Sequence, residues 1–320
     1  MSQRAIEALP QVFSTVELVG PTAVRRTETI RPGMCGPLQA LVSTVGDWTW
    51  EAVSTVCGLN AFNARDPQGR PSYLAFYHYR IICGGALGPA DLSFGDEIVV
   101  DSSVFAGGRL SVLTVHRIRR AGTPAPAPLT LEELHSRPLP GCLYVETTNV
   151  WLSRGSSGSN VGLVRSAPAE FAYAHLPPVP EPYDVTLDCR HARDHGTFPQ
   201  AGAPSASASQ DLFVEHPVDP IRDVNGVGLL YFASFFPMAE RAQLHQWHAR
   251  GLTSRQFLDR RLMEARICYL GNADLDTRLN ISVRSTRNAG TPGEERCDLT
   301  IRDPGRDRTL AVVAFRHRIP

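Results

Sequence analysis

From Leu38 to Val56 the apolar residues fall at positions 38, 41, 42, 45, 48, 52, 53 and 56. That three-and-four spacing predicts a helix buried over a broad face. Its valines, threonines and glycine are weak helix formers, so it persists only if something wraps it. Gly36-Pro37 marks its start and Gly58 suits its end. Runs rich in β-branched and aromatic residues follow at 72–83, 96–106, 109–120 and 141–153, and these read as strands. Gly107-Gly108 joins two of them in a tight hairpin. A Pro-, Gly- and Ser-rich middle, with "HLPPVPEPY" and "FPQAGAPSASASQ", reads as connection.

Then the pattern recurs. "NGVGLLYFASFF" (225–236) is expected as a strand, Pro237 as the opening of a helix to about Trp247, and Ser254 as the cap of a piece over 255–262. Strands are expected again in "EARICYLGN", "TRLNISVRST", "ERCDLTIRD" and "TLAVVAFRHRI", the last echoing "RLSVLTVHRI" of the first half. Two copies of a helix plus an antiparallel sheet predict an α+β double hot-dog, with halves at 1–160 and 161–320. Such pairs hold acyl thioesters between the halves, where free helix N–H groups can polarise a carbonyl. Those helix ends are expected near Gly36 and Met238.

Composition narrows the chemistry. The formal net charge is 0 and there is no basic block, so nucleic-acid binding lacks its electrostatic basis. Every one of the 32 basic residues is arginine. Without lysine, a Walker-type phosphate loop, a Schiff base and a pyridoxal site are excluded. No signal-like or membrane-length apolar run occurs, which predicts a cytoplasmic, membrane-free protein. The seven cysteines are scattered and lack a C-x-x-C pair, so reduced, mostly buried thiols are expected. "DCRHARDH" places Cys189, His191 and His195 close together, but no fourth ligand of matching spacing follows; it reads as a polar surface loop, and no metal is expected.

Other motifs are weak. Ser157 in "GSSGSN" lacks the glycine spacing of a nucleophile elbow, and "GVG" at 226–228 lacks the third glycine of a dinucleotide loop. No histidine has the spacing of a hot-dog dehydratase. Asp47 and Glu51, one turn apart on the helix, offer the carboxylate a hot-dog thioesterase would need, and an exposed helix face explains them equally well. The strongest site signal is "GLNAFNARDPQGRPSYLAFYHYR", directly after the buried helix. Asn60 and Asn63 can donate hydrogen bonds without titrating, which suits an enolate or oxyanion pocket; the same asparagines also suit a plain turn. In "NVWLSRGSSGSNVGL", Asn149, Arg154, Ser159 and Asn160 are candidates for a phosphate or thioester contact.

"RPGMCGPLQALVSTVGDWTWEAVS", the Asn60–Arg80 loop and "NGVGLLYFASFF" together resemble the bifunctional acyltransferase/decarboxylase family of leinamycin biosynthesis, along the length of the chain. The resemblance implies decarboxylation of methylmalonyl-CoA and delivery of propionyl to an acyl carrier protein, without metal or other cofactor. It also implies a catalytic tyrosine in a "NAYNARD"-type loop, where this chain has Phe62. A phenylalanine keeps the ring but cannot donate, accept or be acylated. Activity is therefore expected to be low. Trp48, Phe76 and Phe232 are the expected apolar walls, and Arg65 or Arg154 the expected partners of the CoA phosphates. Hydrolysis of acyl-CoA and non-catalytic thioester binding are the alternatives. Exposed sheet edges offer a homodimer contact.

Overall fold

The computed structural model describes residues 13–85, 87–126, 128–155, 159–199, 206–208, 211–288 and 293–319. The first half begins with a hairpin of β1 (Ser14–Gly20) and β2 (Ala23–Thr29) and continues into helix α1 (Leu38–Cys57). Strands β3 (Ser72–Cys83), β4 (Glu97–Ala106), β5 (Ser111–Arg120) and β6 (Cys142–Arg154) wrap it, with the short α2 (Leu131–Ser136) before β6. The link carries β7 (Leu163–Arg165), α3 (Thr186–His195), β8 (Ala206–Ala208) and β9 (Leu212–Pro217). The second half is α4 (Phe235–Ala249), α5 (Ser254–Asp259), β10 (Arg261–Tyr269), β11 (Arg278–Asn288), β12 (Glu294–Asp303) and β13 (Arg308–Arg318). This is the expected α+β double hot-dog.

One antiparallel sheet runs β1-β2-β4-β5-β6-β3-β10-β13-β12-β11-β8, and β9 pairs with β11. The order mirrors itself about the β3–β10 seam: β6 answers to β13, β5 to β12 and β4 to β11. The sequence echo between β5 and β13 therefore joins strands that are not equivalent. It reflects a near-continuous, mostly apolar run, which strands buried on both faces have in common.

α1 is a helix because of what surrounds it. Each β-branched residue costs up to about 0.7 kcal/mol of helix propensity, whereas burying one valine contributes about 1.5–3 kcal/mol. Val42, Val45 and Val53 are fully buried, so tertiary burial wins. Gly58 ends the helix at φ 66° and donates its N–H to Ser54 O. One core runs across the seam, joining Val42 and Val45 of α1 to Phe236 and Ala239 of α4, with Tyr79 and Ile267 from the seam strands.

Three expectations fail. Thr253, not Ser254, caps α5: its side chain accepts from Gln256 N, and the helix ends at Asp259 because β10 begins at Arg261. Residues 225–231 form a turn rather than a strand: Asn225 Oδ1 accepts from the N–H groups of Val227 (3.2 Å) and Leu229 (2.9 Å). A 3-10 turn over Phe232–Ser234 then enters α4. The apolar run is buried because a helix start docks there, which periodicity cannot tell from a strand over so short a span. Pro237 is tolerated in the first turn, where no intrahelical N–H bond is lost. "DCRHARDH" is the helix α3, not a loop. It sets the His191 and His195 rings side by side, 4.3 Å apart, while Cys189 turns into a core patch with Cys268.

Candidate functional site

The β3–β10 ladder is short, running only from Ile82↔Glu264 to His78↔Cys268. A bulge between Phe76 and His78 redirects β3, while the N–H groups of Leu270 and Gly271 turn away to Leu310 O (2.8 and 3.2 Å). Residues 73–77 of β3 are left facing the segment 269–272, and a cavity of about 810 Å³ fills the space between them. Gly46, Asp47 and Trp50 of α1 form another wall, with Tyr231, Phe232 and Phe235 where the chain enters α4.

The inner end is apolar. Phe232 stacks on Phe76 at 4.0 Å between ring centroids. It lies so close to α1 that a Cβ on Gly46 would sit 2.4 Å from Phe232 Cζ. Tyr269 donates its hydroxyl to Phe232 O (3.0 Å) and fixes this corner.

Polar groups are few and placed. Asp47 opens onto the cavity, and burial, aided by the neighbouring Glu51, pushes its carboxyl above the usual range against the pull of Arg26. Tyr231 sits beside Ser43 and Asp47; burial raises its phenol, so it remains a proton donor. Glu51 is held by Arg26 of β2, which also binds Glu28 (3.0 Å) and lies 5.5 Å over the Trp48 ring. Asp47, rather than Glu51, is thus the carboxylate available to a ligand. The sheet at 23–29 makes that distinction, and α1's own spacing does not.

The expected site residues divide. Phe62 lines the cavity, 58% exposed, its ring 5.6 Å from Trp50. Phe76 and Phe232 line it too. Asn60 does not: its Oδ1 accepts from Phe62 N (3.1 Å) and its carbonyl accepts from Asn63 N (3.2 Å), so it builds the turn that carries Phe62. The side chain of Asn63 is exposed, outside the cavity wall. Arg65 donates to Gly69 O (3.0 Å) within the same loop. Trp48 is buried on the other side of α1, and Trp50 takes the wall instead. Gly36, at φ 98°, precedes α1, whose middle rather than N-terminus meets the cavity. Met238 is core; α4 reaches the cavity through Phe235.

Arg154 and Asn160 hold the halves together. Arg154 donates to Val227 O (2.6 Å) and Asn160 Oδ1 (3.0 Å). Asn160, buried at the cavity edge, donates through Nδ2 to Gly228 O (2.7 Å) and Ala273 O (3.0 Å). Ser159 binds the Asp274 carboxylate (2.9 Å), and Asn149 donates to Leu74 O (3.3 Å) within the sheet. Ser157 lies outside the described residues. Sequence reasoning missed Arg165, Arg193 and Arg308, which line the cavity from three separate elements. Among the described residues no His/Cys/Asp/Glu group could hold a metal, and no helix is long and apolar enough to cross a membrane.

The chain shares its architecture with solved structures. A protein described as an oleoyl thioesterase from Lactobacillus plantarum is 11% identical, over 93% of this chain and 96% of that one, with a TM-score of 0.61. The 12:0-ACP thioesterase from Umbellularia californica is 12% identical, over 95% and 96%, with a TM-score of 0.57. At such identities the likeness is one of fold. No curated protein sequence matches the chain. Residues 25–200, more than half of its length, match the LnmK N-terminal Hot Dog Fold domain, and the chain belongs to that family.

Proposed function

We propose that the chain binds acyl thioesters in the seam cavity and carries out the reaction its sequence resemblance implies. Methylmalonyl-CoA would lose CO₂ by cleavage of the carboxylate C–C bond. The resulting thioester enolate would take a proton from water or a hydroxyl, and the propionyl group would pass from the CoA sulfur to the phosphopantetheine thiol of an acyl carrier protein. No cofactor is proposed. Phe76 and Phe232 supply an apolar pocket in which a carboxylate is poorly solvated and its loss favoured. The N-terminus of α4 meets the cavity wall at Phe235, and its dipole supplies positive potential for the enolate oxygen.

The observation that carries the reading is Phe62. A backbone turn built by Asn60 holds its ring on the cavity wall with 58% of it exposed. A hydroxyl on that ring would reach the bound thioester, and this chain lacks it. Phe62→Tyr should therefore raise the yield of propionyl carrier protein from methylmalonyl-CoA, followed by mass, by about 10²–10³. Equal turnover by the two forms would remove the ring from the mechanism; no turnover by either would defeat the decarboxylase.

Asp47 supports a second reading, hydrolysis of an acyl-CoA with water activated by that carboxylate. Release of propionate from propionyl-CoA, abolished by Asp47→Asn and unchanged by Phe62→Tyr, would select it.

A further inference from the structure

We propose that Arg165, Arg193 and Arg308 form a phosphate-receiving mouth for the cavity, which grips the phosphopantetheine phosphate of a thioester substrate. The proposal rests on the thioester reading and adds the group that holds the far end of the ligand.

Each arginine comes from a different element: Arg165 ends β7, Arg193 lies in the last turn of α3, and Arg308 opens β13. All three line the same cavity. Most arginines of the chain are tied to carboxylates, but Arg165 and Arg308 have no acidic partner among the described residues. Arg193 holds Asp194 through Nε (2.8 Å) and Nη2, leaving Nη1 unengaged. A cradle also exists for Arg308: a Cβ on Gly271 would come within 3.1 Å of its Nη2 and within 3.1 Å of Leu310 Cδ2, so a side chain there would crowd the guanidinium. Tyr77, half-buried on the same wall, lies within electrostatic reach of Arg165 and Arg193; burial raises its phenol, so it stays a hydrogen-bond donor.

The distribution of charge selects the ligand. Three guanidiniums suit an anionic phosphate ester, which Arg165 and Arg308 can meet with paired N–H bonds and Arg193 through Nη1. The apolar Phe76–Phe232 end of the same cavity suits an acyl chain. A phosphopantetheine thioester has both ends in one molecule. Arg65 and Arg154, expected from the sequence to bind phosphate, are spent on loop carbonyls.

Calorimetric titration of the full chain with propionyl-CoA, propionyl-phosphopantetheine and propionyl-pantetheine tests this. The two phosphate-bearing thioesters should bind more tightly than propionyl-pantetheine. Arg308→Gln, and separately the exposed Arg165→Gln, should weaken both by roughly 10–100-fold and leave propionyl-pantetheine unchanged. If only propionyl-CoA is affected, the arginines meet its nucleotide phosphates and the pantetheine assignment is wrong. Equal losses for all three ligands, or none, would overturn the mouth while leaving the thioester reading intact. Failure of all three to bind the unmodified chain would defeat that reading itself.

Discussion

Gly46 offers a test of the cavity's geometry that requires no ligand. Its missing side chain would sit 2.4, 3.1 and 3.4 Å from Phe232 Cζ, Cε1 and Cε2, against a normal carbon–carbon contact of about 3.5–4.0 Å. In an unobstructed helix interior, glycine to alanine stabilises by about 0.5–1 kcal/mol. Here the Phe232 ring cannot retreat onto Phe76, already stacked at 4.0 Å, so it must swing into the cavity. Overpacking of this kind costs about 1–3 kcal/mol. Gly46→Ala should thus be neutral to about 2.5 kcal/mol destabilising, with weaker ligand binding. In a Phe232→Ala background the obstruction is gone, and the same substitution should stabilise by about 0.5–1 kcal/mol. The resulting coupling of about 1–3 kcal/mol is read from denaturant midpoints at unchanged slope. Effects additive within about 0.5 kcal/mol would mean that Phe232 does not lie across α1.

Glu264, at the seam, binds Arg80 (2.7 Å), Arg266 (2.8 Å) and Arg316 (3.5 Å). Burial pushes its carboxyl up, but those guanidiniums prevail and hold it at about 2. A depressed carboxyl stabilises above its unfolded value and loses that contribution as pH falls. Glu264→Gln should cost about 1–3 kcal/mol at neutral pH, between the exposed and buried limits for ion pairs. The gap to the unmodified chain should close between about pH 4.5 and 2 in acid titrations of stability, and a pH-independent gap would contradict the assignment. Asn160→Ala removes two bonds across the halves and a third to Arg154, and should cost about 2–4 kcal/mol. Amides of residues 225–230 should then exchange faster, and unchanged exchange would show that Asn160 does not anchor them.

The sequence made the framework legible wherever one residue period ran long enough. α1 shows a broad apolar stripe between Pro37 and Gly58, and β3 and β6 are long aromatic and β-branched runs. α3 was hidden because it buries little besides Cys189 and Ala192, and its charges look like a loop. The strand expected at 225–236 failed because an apolar run says "buried" before it says which backbone buries it. Within the site, Phe62, Phe76 and Phe232 could be found because aromatic rings beside glycine and asparagine turns stand out. The choice between Asp47 and Glu51 depends on Arg26, and the roles of Arg65 and Arg154 depend on loop carbonyls. Those partners come from distant parts of the chain, and no local spacing encodes them.

The mirrored strand order has a consequence for how such a protein can change. In a symmetric pair of identical chains every substitution appears twice, so two equivalent pockets must stay alike. Here both halves belong to one chain, and their corresponding loops have already parted. The loop after α1 holds Phe62 out on the cavity wall. The segment after α4 folds into α5 and buries Phe257 beneath the Arg260 guanidinium, 3.4 Å from the ring, and Glu240 pins that arginine at 2.8 Å. The loop that carries Phe62 is free to diversify while the segment tied down by Arg260 supplies rigidity, a division of labour that an identical pair cannot adopt.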